Sequence, residues 1–212
     1  MTHPIISQIN GLKDISSVTK VLEDNNIPFL SEGTTRTVYD LGDGTVLKLV
    51  IDPSFVSQNW SEIKIFKCSG REFFAEIYEH DKRNLWLVME KLDTDKSKIL
   101  SNLAEMFEPA IVVNGIERSI RSVENFVHYC VYRLTEVLQA AKTTEAADWA
   151  RGFSAIVKTC KISEEDLHDN NVGIRPSTNT IVFLDYADYN LLSMEESVSP
   201  PPTLSSLIYG NH

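Results

Sequence analysis

Cysteine is scarce in this chain, with three residues in 212: Cys68, Cys130 and Cys160. An odd number gives no complete disulfide framework, and the spacings match no metal-ligand pattern. The thiols are therefore expected to be reduced and mostly buried, as in a cytoplasmic protein. Basic charge is also short, at 20 Lys+Arg against 30 Asp+Glu and a formal net charge of −10. That balance argues against general nucleic-acid binding, which needs a basic footprint for the phosphates. No apolar run approaches the roughly 20 residues that span a bilayer, so no membrane partner is expected. The opening Met1-Thr2-His3-Pro4 lacks the basic patch and apolar stretch of a secretory signal. No internal repeat is present. Hydrophobic residues make up 42% of the chain and charged residues 24%, a composition close to globular averages that excludes a disordered chain. The length suits one domain or two small lobes.

Along the chain, Ile9, Leu12, Ile15, Val18, Val21 and Leu22 recur at helical intervals, so residues 5–26 read as one or two short amphipathic helices broken near Gly11. A strand–turn–strand pattern follows from Ile27 to Leu41, with a Gly-bearing turn at Gly33. Asp43-Gly44 between two β-type runs marks a hairpin. It leads into the apolar strand 45–51, which contains Lys48. Residues 58–68 read as a short helix with Trp60, Ile63 and Phe66 on one face, bearing Glu62. Two more strands are expected at 73–80 and 85–90, completing a five-strand antiparallel unit interrupted by one helix. From Lys96 to about Lys161 the expected structure is helical, with Val123, Phe126, Val127, Cys130, Leu134, Val137 and Leu138 as the apolar stripe. A loop and hairpin span 166–189, and the tail around Ser197–Pro202 is rich in Pro and Ser.

Four separated features carry chemistry. The first is the turn Gly33-Thr34-Thr35-Arg36-Thr37-Val38-Tyr39, whose small residues can offer backbone N–H groups to phosphate oxygens, or form only a turn. The second is Lys48, flanked by Val46, Leu47 and Leu49. It is either a solvent-face residue of an alternating strand or a buried ammonium that needs a partner. The third, Glu62, is placed to be that partner; such a pair holds a lysine toward the α- and β-phosphates of a nucleotide. The fourth is Asp166-Leu167-His168-Asp169-Asn170-Asn171, followed by a hairpin that delivers Asp185. Here Asp166 can accept the proton of an attacking hydroxyl, while Asn171 and Asp185 supply hard oxygen ligands to Mg²⁺. The alternative is a polar turn capped by Asp and Asn. His168 either approaches the transferred phosphate or orients the loop. Asp169 is a rival base poorly spaced from Asn171, and Asp188 either supports the metal or caps a turn. His128 reads as packed or partly exposed, and Trp149 with Phe153 as anchors of the helix before the loop.

In this order, the residues from about Phe29 to Asn190 resemble the protein-kinase-like superfamily. Asp166-Leu167-His168-x-x-Asn171 is similar to the D-L-H-x-x-N loops of aminoglycoside-phosphotransferase-like kinases and of small bacteriophage Ser/Thr protein kinases. The resemblance implies an α+β, minimal bilobal fold: an N-terminal helical extension at 1–26, a five-stranded N-lobe with one helix at 27–92, a reduced, mainly helical C-lobe at 93–196, and a tail at 197–212. It implies ATP and Mg²⁺ as cofactors. Gly33, Thr34, Thr35, Val38, Val46, Lys48, Met89, Glu90 and Leu92 would contact the nucleotide, with 88–92 as the hinge and Met89 at the gatekeeper position. Asp166, Lys48, Glu62 and His168 would be catalytic, and Asn171 and Asp185 metal-binding. The expected acceptors are Ser/Thr hydroxyls of bacterial host proteins or of the protein itself.

Departures accompany the resemblance. Thr35 and Val38 stand where further glycines occur, Glu164 where the histidine of H-R-D would be, and Asp185-Tyr186-Ala187 in place of D-F-G. The 27 residues after Asp185 are expected to hold neither an A-P-E motif nor a large helical subdomain. Two other readings follow from these features: a small-molecule kinase of aminoglycoside-phosphotransferase type, and a non-catalytic acidic binder of a basic host factor on the same scaffold.

Overall fold

Short runs of β-branched and aromatic residues punctuated by Gly, Asp and Asn build five strands in the first ninety residues of the chain: β1 (Phe29–Glu32), β2 (Arg36–Asp40), β3 (Thr45–Val50), β4 (Ile77–His80) and β5 (Trp86–Glu90). The computed structural model describes residues 3–69, 71–163 and 166–186. Glu164, Asp188 and the Pro/Ser-rich tail lie outside these. The protein is α+β, with seven α-helices among the described residues and one five-stranded antiparallel sheet. It divides into two compact units, one of Met1–Lys64 with Ala75–Lys91, the other of Ile65–Phe74 with Leu92–His212.

In the first unit the strand order is β1-β2-β3-β5-β4, every neighbouring pair antiparallel. The turn between β2 and β3 falls at 41–44. Gly42 and Gly44 have φ of +79° and +84°, and the Asp40 and Asp43 carboxylates accept the N–H groups of Gly42 and Thr45 at 3.0 and 3.1 Å. Directly opposed residues share a face, so the register places Tyr39, Leu47 and Val88 on one side and Val38, Lys48 and Leu87 on the other. The first side is closed by α1 (Pro4–Ile9) and α2 (Ile15–Asp24), the latter capped by Asp14, whose carboxylate accepts the N–H of Ser17 at 2.8 Å. Ile5, Ile6, Ile9, Val18 and Leu22 form one core with Tyr39, Leu47, Leu49, Trp86 and Val88. These helices, read from the sequence as an extension, are thus part of the sheet's own core.

The helix of the strand unit, α3, runs Val56–Ser69. Its buried residues include Gln58, Asn59, Ser61, Glu62 and Ile63, whereas Trp60 and Phe66 are only half-buried. Of the apolar stripe expected on this helix only Ile63 is buried, and polar Gln58, Asn59 and Glu62 share its buried surface.

The second unit contains α4 (Lys96–Met106), β6 (Ala110–Val113), β7 (Ile116–Ser119), α5 (Val123–Tyr132), α6 (Leu134–Ala140), α7 (Thr144–Cys160), β8 (Val172–Arg175) and β9 (Thr180–Phe183). The continuous helical character expected from Lys96 to Lys161 is broken by the β6–β7 hairpin. Its turn is Asn114-Gly115, both at positive φ (52° and 77°), as a type I′ turn requires. The strand expected over 73–80 is also shorter. Only 77–80 is strand, because the Phe73 carbonyl accepts the N–H of Phe183 at 2.9 Å and Phe74 bridges to Phe183 in the second unit. Aromatic rings pack this unit. Phe153 stacks on Phe183 at 5.0 Å and on Trp149 at 5.1 Å, Phe73 meets both Trp149 and Phe153, and Phe107 meets Phe126. Cys130 is wholly buried here, and desolvation pushes its thiol far above the ordinary range, which makes it a packing residue.

Candidate functional site

Within the first unit, β3 carries Lys48 on the sheet face opposite α1 and α2, and α3 presents Glu62 to it. The Lys48 Nζ lies 3.0 and 3.4 Å from the two Glu62 oxygens. Lys48 is 3% exposed and Glu62 0%, so this lysine is not on a solvent face. An ammonium so deeply buried is tolerated only through such a partner. A residue not singled out in the sequence shares the carboxylate: Arg36 Nη1 lies 2.8 Å from Glu62 Oε1, and Arg36 is 5% exposed. Val38, Val46 and Met89 lie on the same sheet face as Lys48, since Val38 opposes Lys48, and Val46 opposes both Asp40 and Met89.

The other residues expected to contact a nucleotide are distributed as follows. Gly33 and Thr34 are exposed at the β1–β2 turn, closed by Gly33 N–H donating to the Arg36 carbonyl at 2.8 Å. Thr35 is buried, and its hydroxyl bonds Gln58 of α3. The N–H of Glu90 donates to the Glu76 carbonyl at 2.8 Å. Leu92 belongs to the second unit, half-buried beside Gly173 of β8. There Asp93 and Ile174 exchange backbone bonds of 3.0 and 2.8 Å. A Cβ on Gly173 would come within 2.7 Å of the Leu92 Cβ and 3.0 Å of the Asp93 carbonyl, so the close approach requires glycine.

In the second unit, the loop after α7 is closed on itself. Asn171 Nδ2 donates to the Asp166 carbonyl at 2.8 Å, and Asn171 N–H to the His168 carbonyl at 2.9 Å. Leu167 is fully buried and anchors the loop. The Leu184 N–H donates to the Asn171 carbonyl at 2.9 Å, extending the β8–β9 ladder by one step. Asn171 and Asp185 thus flank the same open end of this hairpin, and Asp166 is tied to it through the Asn171 side chain. With Nδ2 given to the loop, Oδ1 is the Asn171 atom offered to a cation. That oxygen and the Asp185 carboxylate are hard donors that suit Mg²⁺, which keeps waters and phosphate oxygens for its other positions. Among the described residues no cluster of three or more His, Cys, Asp or Glu could hold a metal by itself.

The neighbouring candidates are placed as follows. His168 Nδ1 accepts the N–H of Asn170 at 3.2 Å, which tightens the loop. Asp169 Oδ1 accepts the N–H groups of Val123 and Glu124 at 2.7 and 3.3 Å, capping the positive end of α5. His128 is exposed on α5. Tyr186, which follows Asp185, is fully buried, its ring 4.2 Å from that of Phe74.

Sequence reasoning missed Arg36, Gln58, Asn59 and Arg175. Gln58 and Asn59 were detectable only as a pattern, polar residues at spacings that put them with Glu62 on one helical face; Arg36, on β2, carried no such signal. Arg175 is 3% exposed and donates to the Phe74 carbonyl at 3.1 Å; nothing in its local sequence signals that long-range bond. No protein-family model matches the chain, and no curated protein matches it.

Proposed function

We propose that the protein is an ATP- and Mg²⁺-dependent phosphotransferase of kinase-like, two-lobed architecture. It transfers the γ-phosphate to Ser/Thr hydroxyls of proteins, either bacterial host proteins or itself, as a phage-encoded enzyme acting in the host cytoplasm. The observation that carries this reading is the buried Lys48–Glu62 pair at 3.0 Å, on the sheet face that also bears Val38, Val46 and Met89. A cation fixed beside apolar side chains suits a nucleotide, whose base is apolar and whose phosphates are charged. The closed loop of Asp166 and Asn171 beside Asp185 supports the same reading.

In this mechanism Lys48, held by Glu62, would bind the α- and β-phosphate oxygens, and Val38, Val46 and Met89 would pack on the adenine. Asn171 and Asp185 would hold Mg²⁺, which would supply positive charge to offset that of the phosphates. Asp166 takes the proton of the acceptor hydroxyl as its oxygen bonds to the γ-phosphorus and the bond to the β–γ bridging oxygen breaks, releasing ADP. Positioning and electrostatics supply most of the acceleration, so little covalent chemistry is asked of the protein.

The test pairs binding with chemistry. Millimolar Mg-ATP is expected to raise the Tm of the wild-type chain, since a ligand that binds only the folded state stabilises it. Asp166→Asn is expected to keep that shift while phosphate transfer from γ-labelled ATP to a bacterial lysate falls by about a hundredfold or more. No Tm shift would favour the acidic binding protein. A shift with labelled small molecules and no labelled protein would favour the small-molecule kinase.

A further inference from the structure

Glu62 is gripped from two directions. Gln58, Asn59 and Glu62 occupy one face of the first half of α3, and each reaches a different part of the sheet. Gln58 Oε1 accepts the Thr35 hydroxyl. Asn59 Nδ2 donates to the carbonyls of Asn84 at 2.9 Å and Leu85 at 3.3 Å, while its Oδ1 accepts from Arg36 Nη1 at 3.4 Å. Glu62 accepts from Lys48 at 3.0 Å and pairs with Arg36 at 2.8 Å. The Thr35 carbonyl in turn accepts the N–H of Ile51 at 3.0 Å, so the residues that follow the glycine turn are themselves fastened to the end of β3. Thr35, Arg36, Lys48, Gln58, Asn59 and Glu62 are all buried.

A helix tied to a sheet by one Lys–Glu pair can swing away by breaking that pair alone. Here the swing would also strip Asn59 and Gln58 of buried bonds and expel the carboxylate from an arginine, each a group that is costly to leave unsatisfied. Arg36 is the residue that links these bonds, because it touches both Asn59 and Glu62 and belongs to the strand that leaves the glycine turn. Its planar, permanently charged head suits it to that role better than an ammonium would.

We propose that Arg36 is a positioning residue. Together with Lys48, it keeps Glu62 and α3 docked on the sheet in the resting protein, so the Lys48–Glu62 pair stands assembled with no activating event. The regulatory consequence rests on the phosphotransferase reading; the docking itself does not.

The test is hydrogen–deuterium exchange on the full chain without ligand, comparing wild type, Arg36→Gln, Arg36→Lys and, as a reference on the opposite sheet face, Leu22→Ala. In Arg36→Gln the amides of α3 are expected to exchange about tenfold faster, while those of β2, β3 and β5 change by less than about threefold. Arg36→Lys should recover much of the protection, and Leu22→Ala should affect the strands at least as much as α3. Unchanged α3 exchange, or a rise only in step with the strands, overturns the proposal. If Arg36→Gln does not fold, Arg36→Lys decides by the same criterion, with α3-selective acceleration of about threefold expected. A kinetic arm uses phosphatase-treated protein. Wild type should transfer phosphate undiminished, and Arg36→Gln should lose about tenfold in kcat with KM for ATP little changed. Loss of wild-type activity on phosphatase treatment would sink the claim that no activating event is needed. Absence of any Mg-ATP binding or transfer by untreated wild type would sink the phosphotransferase reading, while the exchange result would still decide the role of Arg36.

Discussion

The two faces of the five-stranded sheet are buried to similar depth by opposite means. On one, Leu47 and Leu49 pack with Trp86 and Val88 against the isoleucines of α1 and Val18 and Leu22 of α2. Such contact is non-directional and tolerates residues of similar volume. On the other, Lys48 and Arg36 meet Glu62, Arg36 meets Asn59 and Thr35 meets Gln58, through bonds that specify angle and distance. A buried ion cluster is weak evidence for stability, because desolvation offsets much of the attraction. The contrast indicates that the apolar face keeps the sheet folded, while the charged face holds particular atoms in particular places.

The sharpest way to break that contrast is Glu62→Gln, which removes the charge that Lys48 and Arg36 both bond while keeping the side chain's shape. A loss of about 3–5 kcal/mol is expected in denaturant unfolding; a loss below about 1 kcal/mol would mean that solvent reaches the cluster. On the apolar face, Leu22→Ala should cost about 2–5 kcal/mol by leaving a cavity. It should leave any Mg-ATP-dependent rise in Tm in place, which separates the roles of the two faces. The comparison is sharpened most by replacing Arg36, Lys48 and Glu62 together with Met. That variant should be as stable as wild type or about 1–4 kcal/mol more so, yet unresponsive to Mg-ATP. A strongly destabilised triple variant would show that the charges serve the fold.

The smallest effect is at the rim of the charged face. Asp40 is held below its ordinary value near 3.8, chiefly by the bond from Lys91 Nζ at 2.5 Å and then by the Gly42 N–H. A depressed carboxyl stabilises the fold above its unfolded value and loses that contribution as pH falls through the folded one. Wild type should therefore lose slightly more stability than Asp40→Asn between about pH 5 and pH 3. The difference should stay under about 1 kcal/mol, because the pair is partly exposed and screened.

Much of the local architecture could be read in advance. Asp43-Gly44 announced its hairpin, and the apolar run of 45–51 announced β3. The approach of Glu62 to Lys48 followed from the need of a buried ammonium for a partner. Asp166 and Asn171, five residues apart, were recognisable as one loop, and the side-chain bond that closes it spans that interval. Other features were misread or invisible. Asn114-Gly115 carries an equally local hairpin signal, but the surrounding helical periodicity masked it. Trp60, Ile63 and Phe66 suggested an apolar inner face for α3; only Ile63 is buried, and the helix also turns Gln58, Asn59 and Glu62 inward, where Thr35, Arg36 and Lys48 bond them. Asp169 looked like a rival base and is a helix cap, since the N–H groups it accepts lie 46 and 45 residues away.

The sequence by itself determined most strands and turns of the first unit, the Asp14 cap of α2, and the supply of a buried lysine, a helical glutamate and an Asp–Asn loop. Each depends on residues within a few positions of one another, where propensity, capping and turn geometry act. Only the tertiary structure decided that Glu62 is shared with Arg36, that Phe73 joins the aromatic core of the second unit, and that Gly173 lies against Leu92 and Asp93. Those outcomes depend on which distant segments are buried against each other. Burial ranks partners by the cost of leaving a charge or an apolar surface unmatched, and spacing along the chain does not encode that ranking.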